Sequence, residues 1–225
     1  MAGKCEVCLF RSMAASKLNP KELELLSENC ASVTLKSGDL LMQQGALSSN
    51  IAYLKRGLAK VHIRGPHQEQ LIKLVKAPAY LGLPNTFGDK INNYSVTVVE
   101  QSDVCFIDIN AFKNLLASNH QFAYEIILIL CGYELDSFKK CASRTQKQVR
   151  GNVADVLLDL SDRIYNSLNF SLPLTRGEIG NYIDTSRESV SRVLSEFEND
   201  GIIKISGKNI TILNKDTLKL ISENG

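Results

Sequence analysis

Residues 174–214 read LTRGEIGNYIDTSRESVSRVLSEFENDGIIKISGKNITILN, and this stretch decides the fold. Thr175-x-x-Glu178 and Thr185-x-x-Glu188 each set a hydroxyl three residues before a carboxylate. That is the capping-box pattern, which satisfies orphan N–H groups at a helix start. Two helices are therefore predicted. Ile179, Tyr182 and Ile183 give the first an apolar face, and Gly180 permits close packing. Asp184 and Thr185 leave only a tight turn between them, the spacing of a helix-turn-helix. The second helix is expected to run to about Asp200 and to end at Gly201, because glycine enters the left-handed terminating conformation without steric cost. Ile202-Ile203-Lys204-Ile205, the turn Ser206-Gly207-Lys208-Asn209 and Ile210-Thr211-Ile212 then make a strand, a turn and a strand, which together form a wing.

Near the start of the second helix, Glu188 and Arg192 lie one turn apart, with Ser191 beside them and Arg187 one step round. An acceptor, a hydroxyl and a cationic fork thus share one face. In the major groove Arg grips guanine O6 and N7 while Glu accepts from cytosine N4. Arg187, Glu188, Ser191 and Arg192 are the candidate base readers. Thr175, Arg176 and Ser186, with Lys208 in the wing, are placed for phosphates. The competing reading makes Glu188 a cap that pairs with Arg192 on a solvated surface. Its position second in a capped pair, with a wing behind it, favours nucleic acid.

These residues carry a resemblance. TRGEIGNY (residues 175–182), the E-x-x-S-R of Glu188, Ser191 and Arg192, and the GKNITI wing resemble the DNA-binding domain of the CRP/FNR regulators, on the FNR branch. Arg187 before Glu188 is instead similar to the CRP branch. The resemblance implies a homodimeric transcription regulator on palindromic double-stranded DNA, with TTGA-like or TGTGA-like half-sites and RNA polymerase as a further partner.

Composition sets the bounds. A chain of 225 residues has room for two modest domains, and 44% hydrophobic with 22% charged residues is ordinary for a globular protein. Residues 1–10 lack the apolar core of a signal peptide, and the longest apolar run, residues 126–131, is far too short for a membrane span. A cytoplasmic protein is expected. Net charge is only +2, and residues 142–225 hold eleven Lys/Arg against eleven Asp/Glu. DNA affinity must then depend on local placement of cations, with a modest salt dependence. An enzyme is not indicated: Cys105 and Cys141 have no His-containing motif nearby, and neither a phosphate-binding glycine loop nor a metal-hydrolase motif is present.

Residues 30–108 alternate short apolar runs with turn residues. Val33-Thr34-Leu35, Leu40-Leu41-Met42, residues 51–54, 59–63, 71–74, 94–99 and 104–107 read as strands, parted at Ser37-Gly38-Asp39, Gly45, Arg56-Gly57, Gly65-Pro66 and Gly88-Asp89. An antiparallel roll is expected. SGDLLMQQG (residues 37–45) and YLKRGLAKV (residues 53–61) resemble the cyclic-nucleotide-binding-like β-roll of the same family, so the resemblance spans nearly the whole chain. In cyclic-nucleotide binders of this kind a Gly-Glu pair holds the ribose and an Arg-Ser pair the phosphate. Here the corresponding residues are Gly82-Leu83 and Tyr94-Ser95. Without the Arg, a buried cyclic phosphate loses its bidentate charge-assisted contact, which argues against cyclic AMP.

Six cysteines, at 5, 8, 30, 105, 131 and 141, offer a rival input. In the FNR branch an N-terminal cysteine group and one roll cysteine hold a [4Fe-4S] cluster. The resemblance points to Cys5, Cys8 and Cys105 as ligands of such an iron–sulfur cluster, and zinc suits the same residues. The competing reading is a leftover leader plus a core cysteine. The third N-terminal cysteine of the pattern is Ala14 here. Cys30 either substitutes or is a buried hydrophobe. His62, His67 and His120 are scattered and read as surface or hydrogen-bonded residues.

Residues 119–146 run without proline, and Tyr124, Leu128, Cys131, Leu135, Phe138 and Ala142 recur at alternating spacings of four and three, a coiled-coil seam. Ile126, Ile127 and Leu130 add a second apolar face. Gly151 suggests a hinge, and Val153, Leu157, Leu160 and Ile164 mark one face of a further helix. The expected architecture is α+β: a leader and β-roll sensor over residues 1–118, a long dimerisation helix over 119–146, and a winged helix-turn-helix over 147–225. A third reading keeps the sensor but gives the helix-turn-helix to protein contacts.

Overall fold

The computed structural model describes residues 5–88 and 90–225; Asp89, half of the expected Gly88-Asp89 turn, and residues 1–4 lie outside the described residues. The chain divides into two compact units, one ending at Leu135 and the other beginning at Asp136.

In the first unit a leader with single 3-10 turns at Cys5–Val7 and Ala15–Lys17 precedes α1 (Pro20–Glu28). Asn19 and Glu22 close a capping box on α1. The strands β1 (Cys30–Leu35), β2 (Leu40–Met42), β3 (Asn50–Arg56), β4 (Leu58–Arg64), β5 (Glu69–Lys76) and β6 (Ala79–Leu81) follow. A short helix α2 (Leu83–Phe87) leads to β7 (Ser95–Val98) and β8 (Ser102–Asp108). They form two antiparallel four-stranded sheets, ordered β1-β8-β3-β6 and β2-β7-β4-β5. Then come α3 (Ile109–Ser118), N-capped by Asp108, and α4 (His120–Gln146).

Strand β3 shows why the roll holds together. Its side chains alternate faces. Ala52 and Leu54 enter the core between the sheets with Val61, Val96 and Val104. Ile51 and Tyr53 point the other way, into a second core with Leu23, Leu26, Phe112, Leu115, Phe122 and Ile126. Strand β6 and helices α1 and α3 escape the sequence reading. β6 has only three residues, too few to show alternation.

Along α4, Phe122 and Ile126 are buried, whereas Tyr124, Leu128, Leu135 and Phe138 are between 48% and 61% exposed. Cys131 and Ala142 are exposed too, so the predicted seam is an open apolar stripe. Ile127 is a correction: expected beside Ile126 and Leu130, it is exposed. It stands next to Leu128 on the open side.

In the second unit, α5 (Val149–Asp159) continues as a π-helical turn, Leu160–Tyr165. Val153, Leu157, Leu160 and Ile164 are all buried, the one apolar face that their spacing predicts. Gly151 is not a hinge. It lies inside α5, and a Cβ there would come within 2.8 Å of the Gly225 carbonyl oxygen, so close packing explains the glycine. The strand β9 (Asn169–Ser171) precedes α6 (Arg176–Ile183), α7 (Arg187–Asn199), β10 (Ile203–Ser206), β11 (Asn209–Ile212) and α8 (Lys215–Asn224). β9 pairs antiparallel with β11, with Phe170 opposite Ile210, and makes the wing three-stranded rather than the hairpin that the sequence suggests. Asp155 of α5 accepts hydrogen bonds from Lys147, Ser143 and Ser222, tying both neighbouring helices to it.

Candidate nucleic-acid interface and sensor site

α6 opens on the expected box: the Glu178 N–H donates to Thr175 Oγ1 at 3.2 Å, and the Thr175 N–H donates to Glu178 Oε2 at 2.7 Å. α7 opens differently. Its N-cap is Ser186, whose Oγ accepts from the Ser189 N–H at 3.1 Å. Thr185 belongs to the end of α6, since Asp184 turns left-handed (φ 57°) and the Thr185 N–H donates back to the Gly180 carbonyl at 2.9 Å. The second capping box is therefore not formed, and Glu188 is a first-turn carboxylate near a positive helix end. Gly180 is required by the turn: a Cβ there would sit 2.6 Å from the Thr185 oxygen.

α7 is strongly two-sided. Val190, Val193, Leu194 and Phe197 are buried, and Arg187, Glu188 and Arg192 are exposed with Ser191 half-buried between them. The Arg192 side chain is 73% exposed, and it leans toward Glu196 at 3.8 Å rather than back to Glu188. The pairing of Glu188 with Arg192 is thus not what holds these side chains.

The acidic residues at the other end of α7 have structural partners. Arg150 binds Glu196 at 3.0 Å and Asp200 at 2.7 Å, and Glu198 Oε1 accepts from the Ile205 N–H at 2.8 Å, fastening helix to wing. Such exposed pairs contribute little stability each, about 0–1 kcal/mol, but they give Glu196 and Asp200 a cationic partner in Arg150. The zero charge balance of residues 142–225 therefore conceals a local face on which Arg187 and Arg192 are exposed beside Glu188. Thr175 and Ser186 sit exposed at the N-termini of α6 and α7, where backbone N–H groups favour anions. Arg176 is half-buried beside Thr175. Lys208 is exposed at the wing turn, and its carbonyl accepts from the Leu172 N–H at 2.8 Å.

In the roll, the four candidate effector residues are engaged in internal bonds and packing. The Gly82 N–H donates to the Tyr94 hydroxyl at 3.1 Å, and Ser95 Oγ accepts from the Gln44 N–H at 3.0 Å. Leu83 is buried in the helix-facing core, whereas Tyr94 packs against the core between the sheets. Burial pushes the Tyr94 phenol above its usual range, so it is a neutral hydroxyl. His62 is hydrogen-bonded to Glu69 at 2.6 Å and Thr97 at 2.9 Å, a structural role.

The thiols do converge. Cys5, Cys8, Cys30 and Cys105 line one cavity of about 40 Å³. In the β1–β8 register Cys105 lies opposite Ser32 and Cys30 opposite Ile107, which puts the two cysteines diagonally on the same, helix-facing side. The leader brings Cys5 down beside them, with its N–H on Ser27 Oγ at 3.4 Å, and the Cys8 N–H donates to the Cys5 carbonyl. A hydrogen bond from Cys30, against the opposing effect of burial, lowers Cys5 to about 7. Cys30 has one proton to share between Cys5 and Cys105, and Cys105 is likewise held below the usual thiol range, helped by Lys55. Cys30 correspondingly keeps its proton, pushed up by Cys105 and Cys5. Lys55 also reaches Ser32 Oγ at 2.5 Å. Ala14, where the resemblance would put a third leader cysteine, is fully buried in the helix-facing core. Sequence reasoning placed Cys5, Cys8 and Cys105, but it left Cys30 between two roles. The parity of its strand relative to β8 was the missing signal.

Comparison with known proteins places this architecture. Residues 32–119 match the cyclic nucleotide-binding domain, and residues 152–221 match the Crp-like helix-turn-helix domain. The transcriptional activator protein FnrA of Stutzerimonas stutzeri is 27% identical over 186 residues, covering 80% of this chain and 75% of that protein. The fumarate and nitrate reduction regulatory protein of Vibrio cholerae serotype O1 is 25% identical over 217 residues, covering 93% and 86%. The solved structure of FixK2 from Bradyrhizobium japonicum shares the fold at 17% identity, with a TM-score of 0.76 over 85% of this chain and 96% of that one. A β-roll joined to a winged helix-turn-helix defines a DNA-binding transcription regulator, not an enzyme. The chain belongs to the CRP/FNR family. Among the described residues, no helix is long and apolar enough to cross a membrane.

Proposed function

We propose that this regulator binds a palindromic site as a homodimer in the cytoplasm, and that α7 reads bases of TTGA-like or TGTGA-like half-sites. The carrying observation is the two-sided α7, with Arg187, Glu188 and Arg192 exposed on its first turns and the opposite face buried. Arg187 and Arg192 donate to guanine, Glu188 accepts from cytosine, and Ser191 supplies a short adaptable hydroxyl. Thr175, Arg176, Ser186 and Lys208 hold phosphates and set the register. The exposed stripe of α4 meets its copy across a two-fold axis, which presents two α7 helices to successive turns of DNA. RNA polymerase is the onward partner.

The input is not cyclic AMP on this reading. Tyr94 stands where a phosphate-binding Arg would be, and its hydroxyl already takes the Gly82 N–H. Input comes instead through Cys5, Cys8 and Cys105, whose softness suits a thiophilic metal or iron–sulfur cluster. Such a cluster, when bound, supplies one-electron redox chemistry. The chain's own contribution is to hold the leader against the roll through those thiols.

A gel-shift series on palindromic DNA tests the base-reading assignment. Glu188→Ala and Arg192→Ala are expected to relax specificity at defined half-site positions. Full retention of specificity by both variants would contradict the assignment. Loss of any shift in the wild type, whatever its metal or redox state, would favour a helix-turn-helix that serves protein contacts.

A further inference from the structure

We infer that Cys30 is the fourth ligand of a tetrathiolate site completed by Cys5, Cys8 and Cys105, and that it takes the place of the leader cysteine replaced by Ala14. The inference rests on the reading above that these thiols receive a metal centre, and it adds the residue that closes the set.

Three observations carry it. First, Cys30 and Cys105 lie diagonally on the helix-facing side of adjacent strands, so the sheet itself sets them on one face. Second, Cys30 is within hydrogen-bond reach of both Cys5 and Cys105, standing between the leader thiol and the roll thiol. Cys30 packs against the apolar helix-facing core as a buried hydrophobe would, but unlike one it also has two thiols within reach. Third, Cys8 lines the same cavity, so four sulfurs from three separate chain segments face one small space. Ala14 cannot contribute, since its methyl is buried in the core and carries no donor atom.

The donor set fits in kind and number. Structural zinc takes four thiolates in a tetrahedron, and a [4Fe-4S] cluster takes four cysteines. Among the described residues, no group of three or more His, Cys, Asp or Glu is arranged as it stands to hold a metal ion. Cys30 instead stands against Cys5 and Cys105, with Cys8 on the lining of the same cavity. Binding must therefore exchange thiol protons for metal–sulfur bonds, with the protons released to solvent and the sulfurs spreading around the centre. The leader's first turn, Cys5–Val7, is held by the half-buried Cys5 and its bond to Ser27 rather than by a fully buried residue, so it can shift while the sheet stays fixed. Lys55, hydrogen-bonded to Cys105, offsets part of the accumulated thiolate charge. Iron–sulfur and zinc share this chemistry, and the experiment separates them.

The full chain would be produced with iron and zinc supplied, purified under anaerobic conditions, and assayed for iron, acid-labile sulfide and zinc alongside its visible spectrum. Cys30→Ser and Cys30→Val are compared with Cys5→Ser, Cys105→Ser and the exposed control Cys131→Ser. The inference predicts a stoichiometric centre in wild type and Cys131→Ser, with loss of metal in the Cys5, Cys30 and Cys105 variants. Iron with sulfide and a visible band identifies a cluster; colourless protein with zinc identifies a zinc site. X-ray absorption of the wild type should count sulfur neighbours alone at the protein-bound positions. Metal retained in Cys30→Ser and Cys30→Val, with unchanged spectrum, while Cys5→Ser and Cys105→Ser lose it, would overturn the role of Cys30 and leave the underlying reading intact. A wild type holding neither metal would overturn both. Circular dichroism on each variant separates ligand loss from unfolding, and a folded, metal-free Cys30→Val supports the inference.

Discussion

The two units place their chemistry in opposite ways. In the second, Arg187, Glu188 and Arg192 stand in solvent on one helix, positioned by bonds that span only a few residues, such as Ser186 with Ser189 and Thr185 with Gly180. In the first, Cys5, Cys30 and Cys105 are half-buried and meet only because a leader, an edge strand and a central strand of the roll come together. A surface meant for a large rigid partner can be built locally and left open. A thiol site that must hold a small, charged centre needs enclosure, and enclosure requires distant parts of the chain.

This contrast is open to test at several strengths. The largest effect should come from the core under the open face. Phe197 is fully buried behind α7, and Phe197→Ala is expected to cost about 3–5 kcal/mol in denaturant unfolding and to abolish DNA binding. If it left α7 folded and DNA-competent, the view that a buried stripe positions the readers would fail. Gly180→Ala comes next. A methyl pressed onto the Thr185 carbonyl at 2.6 Å should destabilise by about 1–3 kcal/mol, read as a lowered denaturant midpoint with unchanged slope.

Smaller effects sharpen the comparison. Ser186→Ala removes the cap of α7 and should cost about 1 kcal/mol in thermal or denaturant unfolding. Thr185→Ala should cost less, because its side chain does not cap the helix; equal losses would restore the capping box that the sequence suggested. Lys208→Ala should weaken binding to all sequences alike and reduce the salt slope by about one, as a phosphate contact does. A change confined to one base position would make Lys208 a reader instead.

The same contrast explains how much was legible. The helix pair, its turn, the end at Gly201 and the wing are written in capping patterns, apolar periodicity and glycine positions, all short-range signals. The start of α7 was misread by one residue because Thr185 offers the same hydroxyl as Ser186. Only the left-handed Asp184 assigns Thr185 to the preceding helix. β9 was invisible because Asn169, Phe170 and Ser171 are a strand only by virtue of pairing with β11. In the roll, most strands showed their alternation, but the partner of each strand did not show. Cys30 was ambiguous for that reason: its role depends on lying diagonal to Cys105 across a pairing that no local pattern announces. Net charge was misleading in a similar way, since the pairing of Arg150 with Glu196 and Asp200 decides where the acids of α7 sit.

The most direct test of the central claim is selection of binding sites from a randomised duplex pool by the full-length protein, prepared anaerobically. The account predicts an inverted repeat with TTGA-like or TGTGA-like half-sites, their centres separated by roughly one helical turn, about 34–36 Å. Enrichment of a single unrepeated motif, or of no motif, would contradict it.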